Sequence, residues 1–462
     1  MDKDSPDWVG LGALPHPVCV VTPSPAPLVL HPFAPRVWGG RSCPQPPQAA
    51  NLGVAGAFAC YDRPEAGPTW LAKPHNRKEG IAPMTSRFAC LLLIVAAGLS
   101  PAQSVSPRID PLFSPLADAN SPGMAVLVRQ HGRTLFQRGY GVRDLRTSAK
   151  IDGQTNFRLA SVTKQFTAMA IMLLIHDGKL QYDRKLTGIF PDFPAYGRAI
   201  TIRHLLTHTS GLPDYEDLMD AAEKVRGPTW SATQQIQDRE VLALLERQTA
   251  GKFAPGTAWS YSNSGYVVLG LIVAQVSGQP FGQFLRDRIF APLHMTGTLV
   301  YMNGENTVPN RAYGHSKRPV GFVETDQSST SATLGDGGIY SNLSDLAKWD
   351  ESLENHALLS RKEMNAALTP VKLANGSAPR WPLAPGDDIL SPGNPVFYGF
   401  GWFLDPYEGR ARIWHFGSSM GFGTVIDRFT AEQLTIVVLC NRTDLDPTKL
   451  ALQVADVIFA GK

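Results

Sequence analysis

The chain has 462 residues, 43% of them apolar, and 43 Lys plus Arg against 40 Asp plus Glu, a net charge of +3 with His neutral. That length and apolar share suffice for one large or two medium cores and exclude a fibre or a disordered protein. With charge near balance and no basic run interleaved with aromatics, a nucleic-acid partner has no support.

Residues 1–83 hold 15 of the 37 prolines, show no sustained period and contain Cys19, Cys43 and Cys60, so they read as a disordered, proline-rich extension. At Met84 the texture changes. Met84-Thr-Ser-Arg87 is short and positive, Phe88 to Leu99 is an apolar run of signal-peptide length, and Ser100-Pro-Ala102 offers small residues for cleavage. Residues 84–102 therefore read as a secretory signal, with translation starting at Met84, the extension being upstream sequence, and the mature chain starting near Gln103. The product is expected in the periplasm or outside the cell. A dozen apolar residues are too few for a comfortable span, so no stable membrane segment is expected after signal removal. Removing residues 1–102, with 8 basic and 6 acidic side chains, leaves 35 and 34, a net of +1, and Cys440 as the one remaining cysteine. Packing alone, without an internal disulfide, has to hold the mature chain.

Along that chain a short helix is expected over 109–120, then strands over Gly123–Gln130 and Arg133–Tyr140 around a His131-Gly132 turn. Arg158-Leu-Ala-Ser161-Val-Thr-Lys164 follows and leads into Gln165 to Ile175, apolar nearly all round and ended by Gly178, which predicts a buried central helix. Helical patterns continue over 201–208, 234–248, 262–276 and 281–290, with no convincing strand between Thr201 and about Leu293. Strands return at 397–403, 411–416, 423–428 and 434–440, an antiparallel meander closed by a helix over about 447–459. The fold class is α+β: an antiparallel sheet flanked by helices (about 103–160 and 334–462) with an inserted all-helical subdomain (about 161–333), and the active site at their seam.

Three short segments carry chemistry. Ser161 and Lys164 stand three apart on one helical face near a helix N-terminus, where a lysine beside the hydroxyl in an apolar site can act as base toward a nucleophile. Tyr261 and Asn263 are two apart in an extended loop and point the same way; a phenol beside a lysine can relay a proton, and an amide can hold a substrate carbonyl. In Trp414-His415-Phe-Gly417-Ser418, His415 and Gly417 share a strand face. Gly417 would let a substrate backbone lie against the strand, and the Ser418 N–H would join that of Ser161 in an oxyanion hole.

The order Ser161-Val-Thr-Lys164, Tyr261-Ser-Asn263, His415-Phe-Gly417 resembles the Ser-x-x-Lys, Tyr-x-Asn and His-x-Gly or Lys-Thr-Gly triplet of the penicillin-binding-protein and class C β-lactamase-like serine hydrolases. Ile202-Arg-His-Leu-Leu-Thr-His-Thr-Ser-Gly-Leu-Pro213 and Gly335-Asp-Gly-Gly-Ile-Tyr-Ser-Asn342 also look like the family, and the resemblance covers essentially 103–462. It implies that Ser161 forms an acyl-enzyme, that Lys164 and Tyr261 share general-base and general-acid work, that Asn263 orients the substrate amide, and that the Ser161 and Ser418 amides bind the oxyanion, with no cofactor and no metal. His415 stands where class C β-lactamases carry Lys. A neutral imidazole suits a β-lactam carboxylate less well, so the chain resembles the D-alanyl-D-alanine peptidases, D-amino-acid peptidases and esterases of the family more than a β-lactamase proper.

Two rival motifs fail. Gly417-Ser-Ser419-Met-Gly421 fits a nucleophile elbow, but that fold needs a histidine after the nucleophile, and His415 is the last one. His204 and His208, four apart, lack the intervening Glu and an evident third ligand for zinc, which leaves packing and capping. The expected activity is hydrolysis of an amide or ester in a small molecule or peptide. The rival from another class is a non-catalytic peptidoglycan or penicillin binder, to which a nucleophile with its base would be of no use.

Overall fold

The computed structural model describes residues 101–379 and 397–460. The proline-rich extension, the signal segment up to residue 100 and residues 380–396 and 461–462 lie outside the described residues.

Helix α1 (Pro101–Phe113) precedes the hairpin β1 (Met124–Gln130) and β2 (Arg133–Tyr140). A minor hairpin, β3 (Val142–Asp144) with β4 (Ala149–Lys150), and β5 (Phe157–Arg158) lead to α2 (Thr163–His176). The middle consists of α3 (Ile202–Leu206), α4 (Tyr215–Arg226), α5 (Asp238–Glu246), α6 (Asn263–Ser277) and α7 (Phe281–Leu285). Short strands follow: β6 (Leu299–Val300), β7 (His315–Lys317), β8 (Phe322–Glu324) and β9 (Ile339–Ser341). After α8 (Leu343–Asn355) and α9 (Arg361–Met364) come β10 (Phe397–Tyr398), β11 (Phe403–Tyr407), β12 (Arg410–Ser419), β13 (Phe422–Phe429), β14 (Leu434–Cys440) and α10 (Pro447–Phe459).

The main sheet has seven antiparallel strands in the order β10-β11-β12-β13-β14-β1-β2. Its central strands are buried on both faces, so β1 and β14 read as continuous apolar runs instead of alternating ones. Val126, Val128, Ile436 and Val438 pack with Ile109 and Phe113 of α1 and Val454 and Ile458 of α10. Their neighbours Ala125, Leu127, Val437 and Leu439 face the other way, into the core of α2 and α6. Helix α2 runs through that second core with Thr163 to Leu174 all buried, which is why its sequence shows no polar face.

The differences from expectation have local causes. The helix placed at 109–120 begins at Pro101 and gives way to a 3-10 turn at Ser114–Leu116. The strand expected over 397–403 is split, because Gly401 sits at φ +76 and the chain turns there, its Gly399 N–H donating to Trp402 O at 2.8 Å. Strands β6 to β8 fall inside residues 161–333, which the sequence reads as helical throughout. Among the described residues no single helix is long and apolar enough to cross a membrane; the bent pair Asn263–Ser277 and Phe281–Phe290 passes by composition, but Tyr266 to Val273 are core residues.

Candidate active site

Ser161 lies in a 3-10 turn (Ala160–Val162) that passes directly into α2, and Ala160 just before it has φ +47. A left-handed L-residue costs about 1–2 kcal/mol, so the turn must be held from outside. It is. Leu159 N–H donates to Ile339 O at 2.8 Å, Thr424 Oγ1 donates to Leu159 O at 2.8 Å, and Ile339 N–H donates to Thr163 Oγ1 at 3.2 Å. Strands β9 and β13 thus fix the backbone on both sides of Ser161.

Lys164 is fully buried, and its Nζ meets three acceptors: Ser161 Oγ at 3.0 Å, Asn263 Oδ1 at 2.9 Å and the Asp336 carbonyl at 2.9 Å. All three contacts are to neutral oxygens, so no carboxylate pairs with this amine. The Asp336 carbonyl is presented by the Gly335-Asp-Gly-Gly loop, which Thr167 Oγ1 ties to α2 by donating to Gly335 O at 2.6 Å. Asn263 opens α6. The cap itself is Ser262, whose Oγ accepts from Gly265 N–H at 3.2 Å, and this leaves the Asn263 amide free to reach Lys164. The Tyr261 ring centroid is 5.0 Å from Lys164 Nζ.

Beside Ser161 opens a cavity of about 430 Å³, lined among others by Ser161, Asn263, Ser418, Glu216, Asp336 and Arg158. Of the seven residues singled out in the sequence, Ser161, Asn263 and Ser418 line it, Lys164 lies directly behind Ser161, and Tyr261 stands beside Lys164. His415 does not reach the cavity. It is fully buried, its Nε2 is 3.1 Å from Tyr398 Oη and its Nδ1 is 2.6 Å from Phe416 O. A carbonyl only accepts, so Nδ1 carries the proton and Nε2 accepts the Tyr398 hydroxyl. Burial, reinforced by the Lys164 charge, pushes the imidazole pKa down to about 3, so His415 is neutral, and it is not among the residues lining the cavity. Gly417 has a neighbour that the sequence did not announce: a Cβ there would come to 2.1 Å from Leu159 O and 2.5 Å from Thr424 Oγ1, so the bare strand makes room for the segment carrying Ser161.

Sequence reasoning passed over the acidic side of the cavity. Glu216 of α4 is exposed along the wall, and crowding by the protein, then the charges of Asp214 and Asp336, raise its pKa to about 7. Asp336 Oδ2 accepts from Tyr215 Oη at 3.2 Å, whereas its buried Oδ1 has no hydrogen-bond partner among the described residues. Asp214 caps α4 through Glu216 N–H at 3.1 Å and also accepts the Asn263 N–H at 3.0 Å. The signal was available in Asp214 followed by Glu216 and Asp217, which reads as a capped helix start. The zinc candidates do other work: His204 completes the capping box of α3 with Thr201, and His208 packs against Tyr261. Among the described residues no three His, Cys, Asp or Glu side chains are grouped as metal ligands.

The sequence pattern of the β-lactamase family matches residues 109–458. Penicillin-binding protein 4* of Bacillus subtilis is 30% identical over 375 residues, covering 78% of this chain and 77% of its own. A D-aminopeptidase of Cereibacter sphaeroides is 26% identical, covering 69% of this chain and 57% of its own. The D-amino acid amidase from Ochrobactrum anthropi superposes with a TM-score of 0.65 at 23% identity, over 78% of this chain and all of that one, a likeness of fold. A match that starts in α1, ends in α10 and encloses the Ser161–Lys164 contact makes this chain a member of the β-lactamase family.

Proposed function

We propose that the protein hydrolyses an amide or ester of an amino acid, D-configured in the first instance, through an acyl-enzyme on Ser161. The observation that carries the reading is the 3.0 Å contact between Ser161 Oγ and the buried Lys164 Nζ at the wall of an open cavity. A serine hydroxyl is a weak nucleophile until a base takes its proton, and a hydroxyl held against an amine is the arrangement that does so. Ser161 Oγ bonds to the carbonyl carbon while its proton passes to Lys164. Collapse of the tetrahedral intermediate breaks the bond to the leaving nitrogen or oxygen, which takes that proton by way of Lys164 or the neighbouring Tyr261. Water then attacks the ester so formed, and Ser161 regains a proton as the acid departs. The Ser161 N–H at the start of α2 and that of Ser418 are the donors for the oxyanion.

The cavity's charges favour a substrate that brings a free ammonium. Glu216, Asp220 and Asp336 line it against one arginine, Arg158, and the relatives include a D-aminopeptidase. A carboxylate-bearing β-lactam meets no exposed cation from His415. Export through the apolar run at 88–99 belongs to the same reading, and N-terminal sequencing of the exported product beginning near Gln103 would support it.

The test is a substrate panel with a labelling control. D-aminoacyl p-nitroanilides should be turned over more efficiently than their N-acetylated forms, D-Ala-D-Ala peptides or nitrocefin. A fluorophosphonate should label wild type at Ser161, and Ser161→Ala should lose labelling and a factor on the order of 10⁴ in kcat. A wild-type protein that neither labels nor turns over any ester or amide would instead be a binder.

A further inference from the structure

His208 is held in an unfavourable backbone conformation, φ +58, at the centre of the molecule, and is 1% exposed. Nothing in its hydropathy pattern calls for a histidine there. Its backbone carbonyl accepts the Ser260 N–H at 3.0 Å, and its Nδ1 accepts the Ser262 N–H at 3.1 Å. One residue thus grips the chain immediately before and immediately after Tyr261. Its ring also lies 4.4 Å from the Tyr261 ring, centroid to centroid, at 33°, and 4.5 Å from that of Tyr398.

The imidazole accepts at Nδ1, so its proton is on Nε2, and that buried atom has no hydrogen-bond partner among the described residues. A buried polar atom left unmatched destabilises the fold, and the left-handed backbone adds to that. Two such costs at one position mark a residue retained for what it holds. The next link is already fixed: Asn263 N–H donates to Asp214, and Asn263 Oδ1 accepts from Lys164.

From this we infer that His208 is a positioning residue of the hydrolytic reaction, a two-point clamp that sets Tyr261 beside Lys164. The inference rests on the acyl-enzyme reading above, in which Tyr261 shares proton transfer with Lys164. Displacement of a proton-transfer group by about 1 Å costs on the order of 10² in rate, so the clamp acts on kcat.

Asparagine tolerates a left-handed backbone and carries an acceptor at the reach of Nδ1, whereas glycine tolerates the backbone and has no acceptor. His208→Asn should therefore keep kcat within a few-fold of wild type, and His208→Gly, checked by Tm for folding, should lower kcat on the order of 10²-fold with KM little changed. The pH profile of acylation should shift in His208→Gly and keep its wild-type midpoint in His208→Asn. Hydrogen exchange of the Ser262 amide should be fast in the first and slow in the second. A folded His208→Gly with wild-type kcat and a slow Ser262 amide overturns the clamp. So does a folded His208→Asn whose kcat falls on the order of 10²-fold below wild type, an arm that decides the matter if the glycine variant does not fold. Wild type that fails to react with fluorophosphonate overturns the acyl-enzyme reading instead, and the exchange of Ser262 still reports on the clamp itself.

Discussion

Glu216 and His415 show how the same fold treats two ionisable side chains near one nucleophile. Glu216 lies along the open cavity with a pKa raised to about 7, so it changes charge near neutral pH. For a substrate ammonium it is an attractive partner only when ionised. KM for a D-aminoacyl p-nitroanilide is therefore expected to fall as pH rises through about 7, and to rise again once the substrate amine, with an ordinary pKa near 8, loses its proton. Glu216→Gln should remove the first limb and raise KM, while KM for a neutral ester such as p-nitrophenyl acetate stays as in wild type; steady-state kinetics from pH 5.5 to 9 would read both. His415, by contrast, is locked neutral by burial. The sequence identifies both residue types but not which wall each faces. A strand buried on both sides shows no alternation to read a direction from, and Glu216 belongs to a helix whose charges look like ordinary solvated ones.

The apposition of β12 on the turn before α2 is the contact between elements that shapes the site. Thr424 Oγ1 of β13 bonds Leu159 O through the space that a side chain at Gly417 would fill. Gly417→Ala should push β12 away from the Ser161 turn, lowering kcat on the order of 10²-fold and stability by about 1–3 kcal/mol, measured by ester turnover and urea unfolding. Elements bounded by clear turn signals were legible in advance: β1, β2, β14 and α10 fall within a residue of expectation. Helix α4 was not picked out, since Tyr215 and Met219 are its only buried side chains and leave too narrow an apolar stripe. The turn that divides β10 from β11 was hidden because Phe397-Tyr-Gly-Phe-Gly-Trp-Phe403 is aromatic throughout, and glycine in such a run fits a strand or a turn equally.

At the scale of the whole molecule, buried acids give stability a pH dependence. Asp238, at the start of α5 and buried, accepts the Leu334 N–H at 3.0 Å, and burial followed by the Asp336 charge lifts its pKa from 3.8 to about 8. A carboxyl that holds its proton more tightly when folded stabilises the fold at low pH and loses that contribution as pH rises through the folded value. Tm is thus expected to decline between about pH 4 and pH 8, and Asp238→Asn, which keeps an acceptor for Leu334, should flatten the decline in a calorimetric series. The strand order carries another consequence. Because β14 sits between β13 and β1, pairing Gln130 with Leu434, the centre of the sheet is assembled from segments about 300 residues apart in sequence. A nascent chain that has emerged as far as Lys164 holds Ser161 and Lys164 but no wall to set them against, and pairings this remote in sequence form slowly. Catalytic competence is in that sense the last thing synthesis delivers: a product clipped ahead of Leu434 would leave β1 with a bare edge, inert toward substrate and prone to stick to its own kind.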